Sequence, residues 1–337
     1  MNIHLKVEAH QFLEKVTGRL KTSGINILNW EIDHLCYRTC SQSNYKESKI
    51  FFERLGQCLI ESEINGRPIA TYKLHEPIFF KDWIIDLIEV PAPKPGKETK
   101  EGFEHIEVVI DCSFEEFLNQ NSKIEFEKTG LSKELNPELE VEFDNCAVKF
   151  HHKSLEHIIN IEKDSKVMTF LKKSELFSLF KEYNPCISGT RPLGIHLLNS
   201  DLDVLLSSDR PEEVIDKSYN CFGKLENYSQ RMTEHQGLKS IVINFEFDGL
   251  PIELFCQNKS VYCQQANLHF LIEGRLLKVF GNSLKKKVLN LKENGIKTEP
   301  AFEKLLNLPV PYKSLIELQK CSDKELRQKF DSIFIVD

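Results

Sequence analysis

With 337 residues, 41% hydrophobic and 28% charged, the chain has the composition of a globular protein rather than a disordered one, and its length suits two domains better than one core. A formal charge of −7 argues against a general nucleic-acid binder, leaving room only for a local basic patch. No run of eighteen uncharged apolar residues occurs, and "MNIHLKVEAHQFLEKV" puts Glu and His where a signal peptide needs an unbroken apolar stretch, so the expectation is a cytoplasmic protein with no membrane partner.

The first half repeats itself weakly. "EIDHLCYR" around His34 and "GFEHIEVV" around His105 each read as an acidic residue, a histidine and an alternating strand, and each precedes a helix, "NYKESKIFFERLG" and "SFEEFLNQ". Both runs are then expected to reach a final strand that ends in glutamate, Glu89 in "WIIDLIEV" and Glu162 in "EHIINIEK". The separations match closely: 55 residues from His34 to Glu89 and 57 from His105 to Glu162. Two βαβββ modules fit that spacing.

Charged "EKDSK" then reads as a linker, which places a boundary near residue 165 and gives domains 1–165 and 166–337. The second half opens on "SGTRPLGIHLLNSDLDVLL", a small-residue turn ahead of two aspartates. Successive strand side chains alternate, so Leu202 and Val204 would point inward while Asp201 and Asp203 stand together. "LKSIVINFEFDGLPIELFCQ" reads as a hairpin turning at Asp248-Gly249, and helical periodicity runs from Gln264 onward. The fold class expected is α+β, with paired βαβββ modules followed by a small mixed sheet and a helical C-terminal part. The ten cysteines form no C-x2-C pair and read as reduced, mostly buried thiols.

Two like charges on one strand face need compensation, and Mg2+ shared between carboxylate oxygens supplies it. Glu253 in "PIELF" is the candidate third carboxylate. Gly189-Thr190 offers free backbone N–H groups and a hydroxyl to a phosphate. Arg275, Lys278, Lys297 and Thr298 could meet a triphosphate, the three basic residues supplying positive charge, although for any one of them a solvated helix residue is the stronger reading and Thr298 reads as a cap for the helix that follows. In the first half, His34, Glu89, His105 and Glu162 suit a divalent transition metal such as Zn, Ni, Mn or Fe, with two open positions for a small oxygenated ligand. His75, His151, His152 and His157 compete for that role, and Arg67 is a candidate contact for an anionic substrate.

The segments "DHLCYR", "INGRPIATYKL", "IEVPAPKPG", "GFEHIEVV" and "FHHKSLEHIINIE", within residues 28–165, resemble the YecM-like family of the vicinal oxygen chelate superfamily. That resemblance implies metal ligands on the first and last strands of each module, where His34, Glu89, His105 and Glu162 are expected. Residues 170–320 resemble a bacterial family with the polymerase β-like nucleotidyltransferase fold, through "GTRPLGIHLLNSDLDVLL", "IELFCQ", "LIEGRLLK" and "GIKTEPAFEKLLNL". This implies metal-binding, catalytic roles for Asp201, Asp203 and Glu253, and a phosphate-gripping role for Gly189 and Thr190; Ser200, Arg275, Lys278 and Lys297 are further candidate nucleotide contacts, read from the residues themselves. Threonine stands where the superfamily has serine and keeps the hydroxyl.

The leading expectation is a Mg2+-dependent nucleotidyltransferase that takes an NTP and an unknown acceptor, fused to a metal-binding module. The alternatives are a metal-dependent lyase, isomerase or dioxygenase acting at the first site beside an inactive second domain, or a ligand sensor without catalysis.

Overall fold

The computed structural model of the protein describes residues 3–96 and 98–334. These fall into two compact units. The first takes the chain to Ile110, then Phe114–Leu155 and Lys320–Gln328; the second takes Asp111–Ser113, Glu156–Gln319 and the chain from Lys329.

In the first unit, α1 (Ile3–Ser23) turns Leu5, Ala9, Phe12, Leu13, Val16 and Leu20 inward, the spacing of one helical face. β1 (Glu31–Arg38) leads to α2 (Gln42–Glu53), whose N-cap Ser41 accepts a hydrogen bond from the Asn44 backbone N–H. β2 (Gly56–Ile64), β3 (Arg67–Phe80) and β4 (Trp83–Pro91) complete a βαβββ run. β5 (Gly102–Val109), α3 (Phe114–Gln120), β6 (Leu139–Phe143) and β7 (Cys146–His151) follow. The strand expected between α3 and β6 is reduced to a single antiparallel bridge, Glu127 to Glu140.

The sheet order is β2-β3-β4-β1-β5-β7-β6. β1 and β5 pair antiparallel at its centre, and each has its module's last strand parallel beside it, β4 by β1 and β7 by β5. The central strands are almost wholly buried, as expected where both sheet faces are covered, whereas β2 at the edge is mostly exposed or half-buried.

One expectation is corrected here. "EHIINIEK" is not the last strand of the second module but part of α4 (Leu155–Lys163), which buries Ile158, Ile159 and Ile161. A short isoleucine-rich run fits either period, and the helix wins because β7 already occupies the place beside β5. Nor is "EKDSK" a linker: Asp164 is the one residue between α4 and α5 (Ser165–Ser174), caps α5 by accepting from the Lys166 and Val167 N–H groups, and pairs with Arg191 at 2.5 Å. The change of unit falls earlier, between Leu155 and Glu156.

The second unit continues with α6 (Leu176–Leu179), β8 (Cys186–Ser188), β9 (Leu202–Ser207), α7 (Pro211–Phe222), β10 (Glu226–His235), β11 (Leu238–Phe247) and β12 (Leu250–Gln257). Its mixed sheet runs β10-β11-β12-β9-β8. Asp248 and Gly249, at φ 48° and 72°, make the β11–β12 turn, the left-handed pair that a two-residue hairpin requires. Then come α8 (Gln265–Glu293, non-helical at Gly281), α9 (Thr298–Leu306) and α10 (Lys313–Glu317); α11 (Asp323–Phe334) closes the described chain. No helix among the described residues is long and apolar enough to cross a membrane. Of the ten cysteines only Cys36, Cys146, Cys186 and Cys256 are buried, fewer than expected.

Candidate functional site

The sheet of the second unit places Asp203 at the centre of a row. Its Cα partner on β12 is Glu253 and its partner on β8 is Ser188. Leu202 and Val204 are fully buried, as strand alternation requires, so Asp201 and Asp203 face the other way. After Ser188 the chain turns at Gly189 with φ +76°, where a Cβ would lie 1.8 Å from Asp203 Oδ2. Only glycine lets the backbone pass so close to that carboxylate.

Arg191 fixes the loop that delivers Asp201. Its guanidinium donates to the carbonyls of Asp201 at 3.1 Å and Ser200 at 2.6 Å, and to Asp164 Oδ2 at 2.5 Å. Ser200 Oγ accepts from the Leu197 N–H at 2.9 Å, so that hydroxyl braces the same loop.

Ser188 and the carboxylate row open on a cavity of about 760 Å³, within the usual size of small-molecule sites. Gly189, Thr190, Ser200, Asp201, Asp203, Glu253, Lys297 and Thr298 all reach it. Arg275 and Lys278 do not. Arg275 is buried, with Nη1 donating to the Gln319 carbonyl at 3.4 Å, which corrects its assignment to the nucleotide. Lys297 is the N-cap residue of α9, so Thr298 begins the helix rather than capping it.

The cavity also holds residues that were not anticipated: Glu273 and His269 on α8, Lys292, Glu299 and Tyr312. The signal was there, because Gln265, His269 and Glu273 recur every four residues on one helix face.

Burial pushes the Asp203 carboxyl well above the ordinary range, and Asp201, Glu253 and Glu299 push it further, with Lys292 opposing. Glu253 is raised by burial and by Asp201, against Arg231 and Lys297. Glu273 is raised well above its ordinary value by burial and by Glu299, against Lys292. Lys292 itself is lowered by burial, and its Nζ donates to the Ile195 carbonyl at 2.7 Å. A carboxylate row so short of positive charge is a fit for hard divalent cations with oxygen ligands, and Asp201, Asp203 and Glu253 are the residues that would hold them.

In the first unit a second group of side chains converges on the central strands. His34 pairs with Glu107 and Cys36 with His105 across β1 and β5; Glu89 pairs with Cys36, and Lys149 with Glu107. A local two-fold therefore relates His34 to His105, Cys36 to Glu107, and Glu89 to Lys149. The place that symmetry reserves for a second strand carboxylate is taken by Lys149, not by Glu162, which is exposed on α4 and counts with the second unit.

Among the described residues, the groups of three ligand-type side chains with donor atoms within 4.8 Å of one another are both here: His34, His105 and Glu107; and Cys36, Glu89 and His105. Asp33 Oδ2 lies 2.8 Å from His34 Nδ1 and Glu104 Oε2 lies 3.0 Å from His105 Nδ1. Each Nε2 is left buried without a hydrogen-bond partner, 3.6 and 3.4 Å from Glu107 Oε1. A carboxylate behind one ring nitrogen and a free nitrogen in front is how metal-binding histidines are held.

His151 joins them, with Nε2 3.2 Å from Glu107 Oε2, while Lys149 Nζ stands 3.0 Å from Oε1. Burial disfavours a charged His34, but Glu107, Asp33 and Glu89 outweigh it and raise its pKa. Burial works against an ionised Glu107 as well, yet Lys149 and His34 hold it well below its ordinary value. The other competing histidines lie elsewhere: His152 against the Phe114 ring at 4.3 Å, His157 against Phe270 at 4.8 Å, and His75 exposed. Arg67 is buried, donating to the Ala92 carbonyl at 2.9 Å.

Comparison with known proteins separates the two halves. The profile of the family described as YecM protein matches residues 3–162, and that of a "Domain of unknown function (DUF4269)" matches residues 169–318. Protein YecM of Escherichia coli (strain K12) is 31% identical over 169 residues, covering 45% of this chain and 88% of the relative. A solved structure described as "Structural Genomics, Protein EC4020" is 29% identical with a TM-score of 0.41, covering 45% of this chain and 88% of its own. One described as "Structural Plasticity of Cid1 Provides a Basis for its RNA Terminal Uridylyl Transferase Activity" is 13% identical with a TM-score of 0.31, covering 44% of this chain and 45% of its own. Through its first half, with the histidines of its central strands, the chain belongs to the YecM family.

Proposed function

We propose that the second unit transfers a nucleotidyl group from an NTP to an acceptor hydroxyl. The observation that carries this reading is the row Ser188–Asp203–Glu253, with Asp201 beside it and the Gly189 elbow against Asp203, all opening on one cavity. Bound Mg2+ would neutralise the triphosphate and stabilise the departing pyrophosphate.

The protein's own groups do the rest. Backbone N–H groups after Gly189 and the Thr190 hydroxyl grip phosphate oxygens, and Lys292 and Lys297 add positive charge. Glu253, raised by burial, takes the acceptor's hydroxyl proton. The acceptor oxygen bonds to the α-phosphorus as the bond to the bridging oxygen breaks, and pyrophosphate leaves with the electron pair.

Calorimetric titration with a non-hydrolysable ATP analogue tests this. Binding should require Mg2+ and disappear in the double variant Asp201→Ala, Asp203→Ala. Metal-independent binding, or binding that survives in the variant, refutes the reading.

A second reading concerns the first unit. The unpartnered Nε2 atoms of His34 and His105, aimed at Glu107, support a divalent transition metal that would take a small oxygenated ligand. The ligand set is His34, His105 and Glu107, with Glu89 and Cys36 adjoining. Metal analysis of the purified protein should find a stoichiometric ion that is lost in His34→Ala.

A further inference from the structure

The cavity of the second unit carries more acid than nucleotidyl transfer uses. Asp201, Asp203 and Glu253 have their task, but Glu273 from α8 and Glu299 from α9 line the same space without one. Glu273 is 4% exposed and His269, one turn earlier, is 3% exposed. Even so, Glu273 Oε1 and His269 Nδ1 have no hydrogen-bond partner. Buried polar atoms are nearly always paired, so two on one helix face, both at a cavity wall, point to a ligand that completes them.

The chemistry of that ligand follows from the charge. Glu273 and Glu299 outnumber Lys292, the cation they share, so this corner disfavours phosphate oxygens and the polyphosphate belongs with Gly189 and Lys297. A bare hard cation prefers oxygen ligands throughout, whereas here an imidazole, the Gln265 amide and the rings of Phe270 and Tyr312 share the wall with the carboxylates. Aromatic rings and scattered acceptors beside two acids suit an organic cation with N–H donors.

We propose that the acceptor bears one or more protonated amines, which Glu273 and Glu299 hold while a neighbouring hydroxyl on the same molecule receives the nucleotidyl group. The identity of the transferred group rests on the function proposed above. The ammonium sets the register of the acceptor, and the hydroxyl loses its proton to Glu253 as before.

The test uses the full chain, saturating Mg2+, and calorimetry or saturation-transfer NMR with glucosamine, 2-deoxystreptamine and spermidine as probes, beside uncharged glucose and myo-inositol. At least one amine should bind about tenfold or more tighter than the uncharged compounds, and Glu273→Gln and Glu299→Gln should each weaken it about tenfold. Glu299, only half-buried, keeps the test open should Glu273→Gln fail to fold. Equal binding of charged and uncharged probes overturns the proposal, as does amine binding that neither substitution moves or that rising Mg2+ displaces. Nucleotide binding without amine preference sinks this inference alone. Amine binding without Mg2+-dependent nucleotide binding sinks the transfer reading, and the acceptor role with it.

Discussion

Asp203 and Glu253 are Cα partners across the parallel β9–β12 ladder, and Asp203 is the more deeply embedded of the two. Without a cation, their mutual repulsion and the burial of Asp203 work against folding. The sign follows from the raised pKa: a carboxyl that holds its proton more tightly when folded costs nothing below its unfolded value. The cost grows as pH rises toward the folded value. Asp203→Asn should therefore raise the melting temperature of the metal-free protein at neutral pH by about 2–4 °C, the size of a ~1 kcal/mol gain. It should at the same time abolish the stabilisation that Mg2+ gives the native sequence, and thermal melts with and without Mg2+ read both effects.

Gly189→Ala should do the reverse. The added methyl group meets Asp203 Oδ2 and the backbone sits at φ +76°, so a loss of about 1–3 kcal/mol is expected. Urea unfolding measures the loss, and Mg2+-dependent binding of the ATP analogue should weaken at least about tenfold because the elbow must move.

Lys292 is the buried cation that Glu273, Glu299, Asp203 and Asp201 share. Removing one partner from a buried charged group leaves the others uncompensated, at a cost of about 3–5 kcal/mol. Lys292→Met should destabilise the protein by about that much in metal-free buffer. It should recover part of the loss when Glu273→Gln is added, and a double-mutant cycle in urea gives the coupling directly.

In the first unit, Glu107 is held below its ordinary value of 4.5 and His34 above its ordinary 6.5. Stability from Glu107 is present above pH 4.5 and is lost as pH falls through its folded value. Stability from His34 is complete below pH 6.5 and is lost as pH rises through its folded value. The metal-free protein should accordingly unfold at lower urea at about pH 9 than at about pH 6. Trp30 and Trp83, both in this unit, report the transition by fluorescence. Metal ions compete with protons for the imidazoles, so affinity for Zn2+ or Mn2+ should rise by at least about tenfold from pH 6 to pH 8, and Glu107→Gln should remove it.

Much of this was readable from residues alone. The alternation around Asp201 and Asp203 determined their common face, because strand side chains alternate whatever the surroundings. Asp248-Gly249 determined the hairpin, because a two-residue turn needs left-handed backbone. The repeat of His34 and His105 likewise announced two related modules with the histidines on their first strands.

What only the tertiary structure decided was partnership. Glu162 looked like the counterpart of Glu89 by spacing, but an isoleucine-rich segment satisfies strand and helix periods alike, and β7 had already filled the strand position, leaving Lys149 there instead. Glu107, Glu273 and His269 escaped notice because each lies within an ordinary strand or helix, and their importance arises from neighbours distant in the chain. Local rules set which way a side chain points; which charge it meets depends on packing between elements, and no short stretch of sequence encodes that.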